Sequence, residues 1–393
     1  MLGPGLLTTF FSDLGADVIK VEPPAGDYIR QMTWPIIDGV SLLHLHTHRN
    51  KRSITLDLKN PEGLAVFEDL IAGADAVVEG MRPGAMARMG LTWERLQEIN
   101  PKIVFCGISG YGATGPYRDM PSHGIAYDTW AGLIPPEVDD DGFTRIPAFP
   151  NVGINVGPML GAFGLLAGIT RARATGIGSQ MEIAQSDAAA YMNWYVIETN
   201  LAYRRPESEV TGNAADDFER RPPGLAGMYE GVRYQIYESS DGHVLFMASE
   251  QAFWKNFCEA VGREDLFERF PGSKYADHAR GNTEIQIELR DIFRTKTTDE
   301  WLDFSIEVNT PIAPVYDGSS MTDDPQFQHR FPLYPTEQLG AEQLPLPLKL
   351  VGEELPNPTK APTVGQHNDE VLREVLGYDD EKVSALTDAN ALG

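Results

Sequence analysis

Lys51, Arg52, Lys59, Arg82 and Arg88 concentrate positive charge near the start of a strongly acidic chain, which has 57 Asp and Glu against 32 Lys and Arg and a formal charge of −25. Cations gathered in such a field suit a polyanionic ligand, because guanidinium and ammonium groups make charge-assisted hydrogen bonds to phosphate. Arg82 and Arg88 bracket the turn Pro83-Gly84 and an expected helix start, where backbone N–H groups can also face phosphate. The alternative is five solvated charges or surface ion pairs. The overall field argues against nucleic acid and anionic membranes as partners. His44, His46 and His48 alternate just before the basic stretch. Such alternation describes one face of an extended segment, so no metal centre is expected there.

The elements that must position these residues alternate between two periodicities. Pro4 to Leu14 is apolar at helical spacing, and Asp17–Glu22 reads as a strand closed by Pro23-Pro24. Pro61 suits the first turn of a helix running to Ala72, and the strand Ala76–Glu79 follows. A third round predicts a helix near Thr92–Glu98 and a strand over Ile103–Ile108. Strands alternating with helices imply a parallel sheet covered on both faces. Gly157, Gly161, Gly164 and Gly168 recur at helical spacing within Gly153–Arg171. Glycine weakens a helix interior, so the run implies close approach of another backbone or of a ligand.

After Asn200 the texture changes to Arg204-Arg205-Pro206 and Arg220-Arg221-Pro222-Pro223, which reads as a linker. A hairpin over Val232–Glu238 and His243–Ser249 turns at Asp241-Gly242, with helices expected at Phe253–Val261, Glu284–Phe293 and Thr298–Val308. The proline-dense stretch Pro332–Pro362 is expected to be an extended return and Asn368–Leu376 a last helix. With 393 residues the chain exceeds what one core serves, so two domains are expected. Cys106 and Cys258 stand apart in apolar stretches, which argues for a reducing compartment. No stretch reads as a membrane span or a signal peptide, so the expected location is cytoplasmic.

Four segments, in order and spacing, resemble the class III CoA-transferases, the family that also holds formyl-CoA transferases, carnitine CoA-transferases and α-methylacyl-CoA racemases. They are Gly15–Pro24, Asn50–Lys59, Glu79-Gly-Met-Arg-Pro-Gly84 with Arg88-Met-Gly-Leu91, and Gly107-Ile-Ser-Gly-Tyr-Gly112. Phe304–Val315, Asp324-Pro-Gln326 and Pro362–Val371 extend the likeness over nearly the whole chain. The resemblance implies an α/β fold. In it a Rossmann-like large domain (1–200 and 313–393) carries a small α+β domain (229–312) inserted after a linker (201–228), and two chains interlock as a dimer. Family members carry a strand ahead of the position of Met1, so either the sheet lacks a strand or the start is truncated. The resemblance also implies coenzyme A or acyl-CoA as the ligand, with Leu56, Lys59, Gly80, Met81, Arg82 and Arg88 binding it.

Transfer in that family passes through an aspartate that attacks the thioester. Counted back from Gly164, its position here is Ile154, with Asn155 beside it, and the supporting glutamate of formyl-CoA transferases falls at Ile125. Neither isoleucine can form an acyl anhydride. His123 falls where the racemases place a histidine base, and imidazole titrates near 6.5. Three functions follow from the resemblance: CoA transfer to a carboxylic acid, direct or assisted by Asn155; proton transfer on an acyl-CoA with His123 as base; or a silent CoA-binding subunit completing a heteromer with a carboxylate-bearing paralogue.

Overall fold

The computed structural model describes residues 2–148, 150–212, 218–220, 228–273 and 277–392. The chain forms two compact units, Met1–Asn193 with Phe331–Gly393, and Trp194–Arg330. Arg221-Pro222-Pro223 of the expected linker lies outside the described residues. Arg220 is described, and its guanidinium donates to the carbonyls of Val210, Tyr203 and Arg205.

The larger unit opens with α1 (Leu2–Asp13), β1 (Val18–Glu22), α2 (Leu42–Thr47), β2 (Lys51–Thr55), α3 (Pro61–Gly73) and β3 (Ala76–Glu79). It continues with α4 (Ala85–Arg88), α5 (Trp93–Ile99), β4 (Val104–Ser109), α6 (Gly124–Trp130), α7 (Val152–Thr175), β5 (Ser179–Ala184) and α8 (Gln185–Met192). Local chemistry explains the helix starts. Asn60 accepts from the Glu62 N–H with Pro61 in the first turn of α3, and Thr92 accepts from Arg95 N–H at the start of α5.

β1 to β5 are parallel, as the helix–strand alternation implies, but they do not form one continuous sheet, and the short pairs Ile36–Ile37 with Val40–Ser41 and Glu137–Val138 with Thr144–Arg145 are antiparallel. β1 pairs only with β2, from Val18↔Lys51 to Glu22↔Thr55. β3, β4 and β5 form a separate sheet with β4 in the middle. Each sheet has its own core. Val104, Cys106 and Ile108 of β4 pack with Leu7, Leu165 and Ala172. Ile54, Leu56 and Val66 pack instead with Val371, Leu372, Leu386, Ala391 and Leu392 from the far end of the chain. That C-terminal segment is more broken than expected: Asn368–Glu370 leads into a π-turn at Val371–Val375, and a further helix spans Asp380–Asp388. Pro332–Pro362 is not wholly extended, since Tyr334 bridges Gln343 around the short helix Thr336–Leu339.

The glycine run resolves into packing. A Cβ on Gly161 would stand 2.8 Å from Leu7 Cδ1, on Gly168 2.8 Å from Val104 Cγ1, and on Gly153 2.7 Å from the Gln185 carbonyl. Alanine at those points would force α7 off α1, β4 and α8. At 24 residues, α7 is also long and apolar enough to cross a membrane by length and composition, which corrects the expectation that no such stretch exists. Its glycine face instead lies against the three-stranded sheet.

In the smaller unit Tyr234–Glu238, His243–Met247 and Ile312–Pro314 form an antiparallel sheet. Ser239 Oγ closes the Asp241-Gly242 turn by accepting the Gly242 N–H at 2.9 Å. Phe246, Trp254, Phe257, Phe293 and Trp301 fill the core beneath it. Thr297 and Glu300 start the helix Thr298–Val308 with a reciprocal capping box.

Candidate functional site

Ligands of open parallel sheets sit outside the carboxyl ends of the strands; Gly80, Met81, Arg82 and Arg88 follow that end of β3, and Leu56 and Lys59 follow that end of β2 in the other sheet. Glu79 ends β3 and accepts the Met81 N–H at 2.7 Å, which holds the Gly80-Met81 turn. Burial raises the Glu79 carboxyl above the usual range, with the Met81 hydrogen bond opposing it. Gly80 admits α1, because a Cβ there would lie 2.7 Å from Pro4 Cγ. Gly84 turns the chain with φ +79° into α4, which carries the exposed Arg88. Arg82 and Lys59 are exposed too, and the Lys59 N–H is bonded to Asp57.

The other members of the basic group stand elsewhere. Lys51 is buried, and its ammonium donates to the Gly5 and Thr47 carbonyls at 2.8 and 2.6 Å and to the hydroxyls of Thr8 and Thr9. It ties α1 to α2 and cannot meet a ligand. Arg52 is held by Asp17 and Glu370. Leu56 is 1 % exposed within the core, which leaves its backbone but not its side chain for contact with a nucleotide.

The residues expected to carry chemistry lie where α6 and α7 begin. Gly110, just after β4, is in close contact with the loop ahead of α6: a Cβ there would stand 2.6 Å from Ser122 Oγ and 2.8 Å from Tyr127 Oη. His123 is the exposed residue before α6, and its side chain makes no cap hydrogen bond. Ile154 is half-buried on the first turn of α7, and a Cβ on Gly124 would come within 2.9 Å of its Cδ1. Gly124 thus makes room for a branched chain at 154. Asn155 is exposed and its amide is spent on the Asn151 carbonyl at 2.6 Å.

Two residues that sequence reasoning missed complete the picture. Asp128, 1 % exposed on α6, accepts the Val152 and Gly153 N–H groups at 3.0 and 2.7 Å. It supplies the anionic cap that the first turn of α7 lacks. Its only sequence signal is an acid one residue after Tyr127 on the inward face of a short helix. Arg118, in the loop after β4, brings its Nη2 to 3.5 Å from the Cβ position of Gly84, and Arg88 Nη1 lies 3.4 Å from the same point.

His44, His46 and His48 lie on and just after the helix α2, not on an extended segment. His44 and His48 are buried with ring centroids 4.8 Å apart. Burial, then Arg30 and Lys20, pushes His44 down to about 4; burial, then Arg49, does the same to His46. Burial, then Lys51, also pushes His48 well below the ordinary imidazole value. Among the described residues no group of three or more His, Cys, Asp or Glu side chains is arranged to hold a metal ion.

The family model described as CoA-transferase family III matches residues 1–368. The beta subunit of succinyl-CoA–L-malate CoA-transferase from Chloroflexus aurantiacus is 30% identical over 96% of this chain and 92% of its own length. Human succinyl-CoA:glutarate CoA-transferase is 28% identical over 100% of this chain and 87% of its own. The crystal structure of a CAIB/BAIF family protein from Brucella suis superposes with a TM-score of 0.75 at 22% identity, covering 96% of each chain.

Proposed function

The chain belongs to CoA-transferase family III, and from that premise we propose that it moves coenzyme A from an acyl-CoA to a carboxylic acid. The observation that carries this is full-length likeness to relatives whose names all state that reaction, with malate, glutarate or oxalate as the acid. The exposed cations Arg82 and Arg88, after the carboxyl end of β3, and Lys59, after that of β2, support the same ligand, with the Glu79-braced Gly80-Met81 turn just ahead of Arg82. We take the larger unit as the Rossmann-like, CoA-binding part and the cytoplasm as the compartment, in keeping with two buried free cysteines.

On α7 the side chains of Met159, Phe163 and Leu166 form an exposed apolar stripe at helical spacing, with Tyr191 and Met192 of α8 also exposed. A second copy covering that stripe is consistent with the interlocked arrangement.

The half-buried Ile154, with Gly124 shaped around it, favours a second reading in which this chain alone lacks the covalent route and works beside a carboxylate-bearing paralogue. A relative named as a beta subunit points the same way. A third rests on the unencumbered His123 as a base for proton exchange beside the thioester. Incubation of the purified protein with acyl-CoAs and acceptor acids, followed by chromatography of the CoA thioesters and intact-protein mass spectrometry, separates the three. New thioester supports transfer. Solvent deuterium at the α-carbon that vanishes in His123→Ala supports the base. Activity only after adding the paralogue supports the heteromer.

A further inference from the structure

Arg88 and Arg118 converge on one point from different elements. Arg88 lies on α4, its Nη1 leaning toward the Pro83 carbonyl at 3.5 Å. Arg118 lies in the loop after β4, its N–H bonded to the Gly115 carbonyl at 3.3 Å. Their guanidinium nitrogens stand 3.4 and 3.5 Å from the position a Cβ on Gly84 would take, so glycine leaves the space between them empty. Two like charges so close repel, and several other arginines of this unit are neutralised instead. Arg30, Arg49, Arg52 and Arg95 each hold a carboxylate. Among the described residues Arg88 and Arg118 meet none, in a chain with a formal charge of −25. An arrangement that leaves two exposed cations beside the same glycine while acids abound is stabilised by an anion that both can reach.

We propose that Arg118 and Arg88 together form a clamp for the phosphate monoester of coenzyme A, and that Arg118 is the residue that tells CoA from its dephosphorylated form. The inference rests on the CoA reading above. Charge matching selects the monoester over the diphosphate. A phosphate monoester carries about −1.5 to −2 at pH 7 and three acceptor oxygens, enough for two guanidinium forks, whereas each phosphoryl of the diphosphate bridge carries one charge. Arg118 comes from a loop some distance along the chain from the basic stretch, and the geometry at Gly84 makes it part of the same site.

Titration calorimetry with CoA, dephospho-CoA and adenosine 3′,5′-bisphosphate on wild type, Arg118→Ala, Arg88→Ala and the double variant tests the clamp. Neither guanidinium has an acid partner to lose, and unchanged circular dichroism and melting verify the fold. Arg118→Ala should weaken CoA and the bisphosphate about ten- to a hundred-fold and leave dephospho-CoA within about two-fold. The double variant should lose less than the product of the two single losses. Arg118→Lys, which keeps the charge and loses the fork, should recover part of the affinity. Unchanged CoA affinity in Arg118→Ala overturns the clamp, and equal losses for CoA and dephospho-CoA overturn its assignment to the monoester. A wild type that binds no CoA while binding the bisphosphate leaves the clamp standing and removes the transferase reading. Binding of neither removes both.

Discussion

Acidification from pH 7 to pH 4.5 should unfold the larger unit through its histidines. His44 is neutral in the fold: Arg30, which can only donate, offers its Nη1 to His44 Nε2 at 3.0 Å, and Arg49 offers its Nη1 to His46 Nδ1 at 3.3 Å. A further proton on the accepting nitrogen, His44 Nε2 or His46 Nδ1, replaces that bond with repulsion between two cations. Lys20 adds to the repulsion on His44; Glu22 and Asp13 are the nearby acids that oppose it, and they lose to burial. Both histidines are held at about 4 against 6.5 for the free side chain. The unfolded chain therefore binds more protons than the fold between those values. Stability is fully present above pH 6.5, declines as pH falls through 6.5, and stops declining near 4. A displacement of that size corresponds to about 3 kcal/mol for a fully enclosed histidine, and about 2 for the half-buried His46. Their sum, roughly 5 kcal/mol, equals the lower end of ordinary domain stability, and His48 adds to it in the same direction. Urea denaturation followed by tryptophan fluorescence and circular dichroism at pH 7.5, 6.5, 5.5 and 4.5 reads the loss directly. The slope should reach about 2–3 kcal/mol per pH unit near pH 5, and His46→Gln should shallow it by about one proton. Glu22 offers no confusion: Arg30, Lys20 and Ser53 outweigh its burial and hold it at about 2, so its contribution is lost only as pH falls from 4.5 toward 2. A flat profile between pH 7 and 5, or a decline confined below pH 4.5, would refute the neutral-histidine account.

Ile154→Asp alone should add little transfer activity, because the new acid meets apolar surroundings and the Asp128 carboxylate that already caps α7, both of which raise its pKa and deplete the anion. The pair Ile154→Asp with Ile125→Glu should accumulate a CoA adduct visible by mass spectrometry; a folded double variant with neither adduct nor new transfer rules out position 154 as the nucleophile's place. Lys51→Met should lower stability by about 2–4 kcal/mol by orphaning the Gly5 and Thr47 carbonyls. If it weakens CoA binding in a variant shown to be folded by its melting curve, the structural role assigned to Lys51 is wrong. Raising NaCl from about 0.1 to 1 M cuts the screening length from about 10 to 3 Å and should raise the melting temperature by a few degrees, since a charge of −25 repels itself; a falling melting temperature contradicts that.

Local pattern was enough to read much of this protein. Pro61 after Asn60, the alternation of Val104, Cys106 and Ile108, and the turn at Asp241-Gly242 each specify an element within a few residues of themselves. The glycine spacing in α7 announced a close approach, and the ordered segments from Gly15 to Gly112 carried the family. What escaped the sequence depends on partners far along the chain. Lys51 and Lys59 are the same residue type eight positions apart, yet one is sealed between α1 and α2 while the other is in water. The histidine alternation suited a strand until Ser41 capped a helix beneath it and the enclosed rings lost their protons. Asp128 and Arg118 carry no pattern of their own; Asp128 is tied to α7, and Arg118 to Gly84, only when the loops after β4 and around α6 close over the sheet. Periodicity encodes which face of an element seeks burial. Which charge that burial strands, and which it leaves facing another, is decided when distant segments compete for the same space.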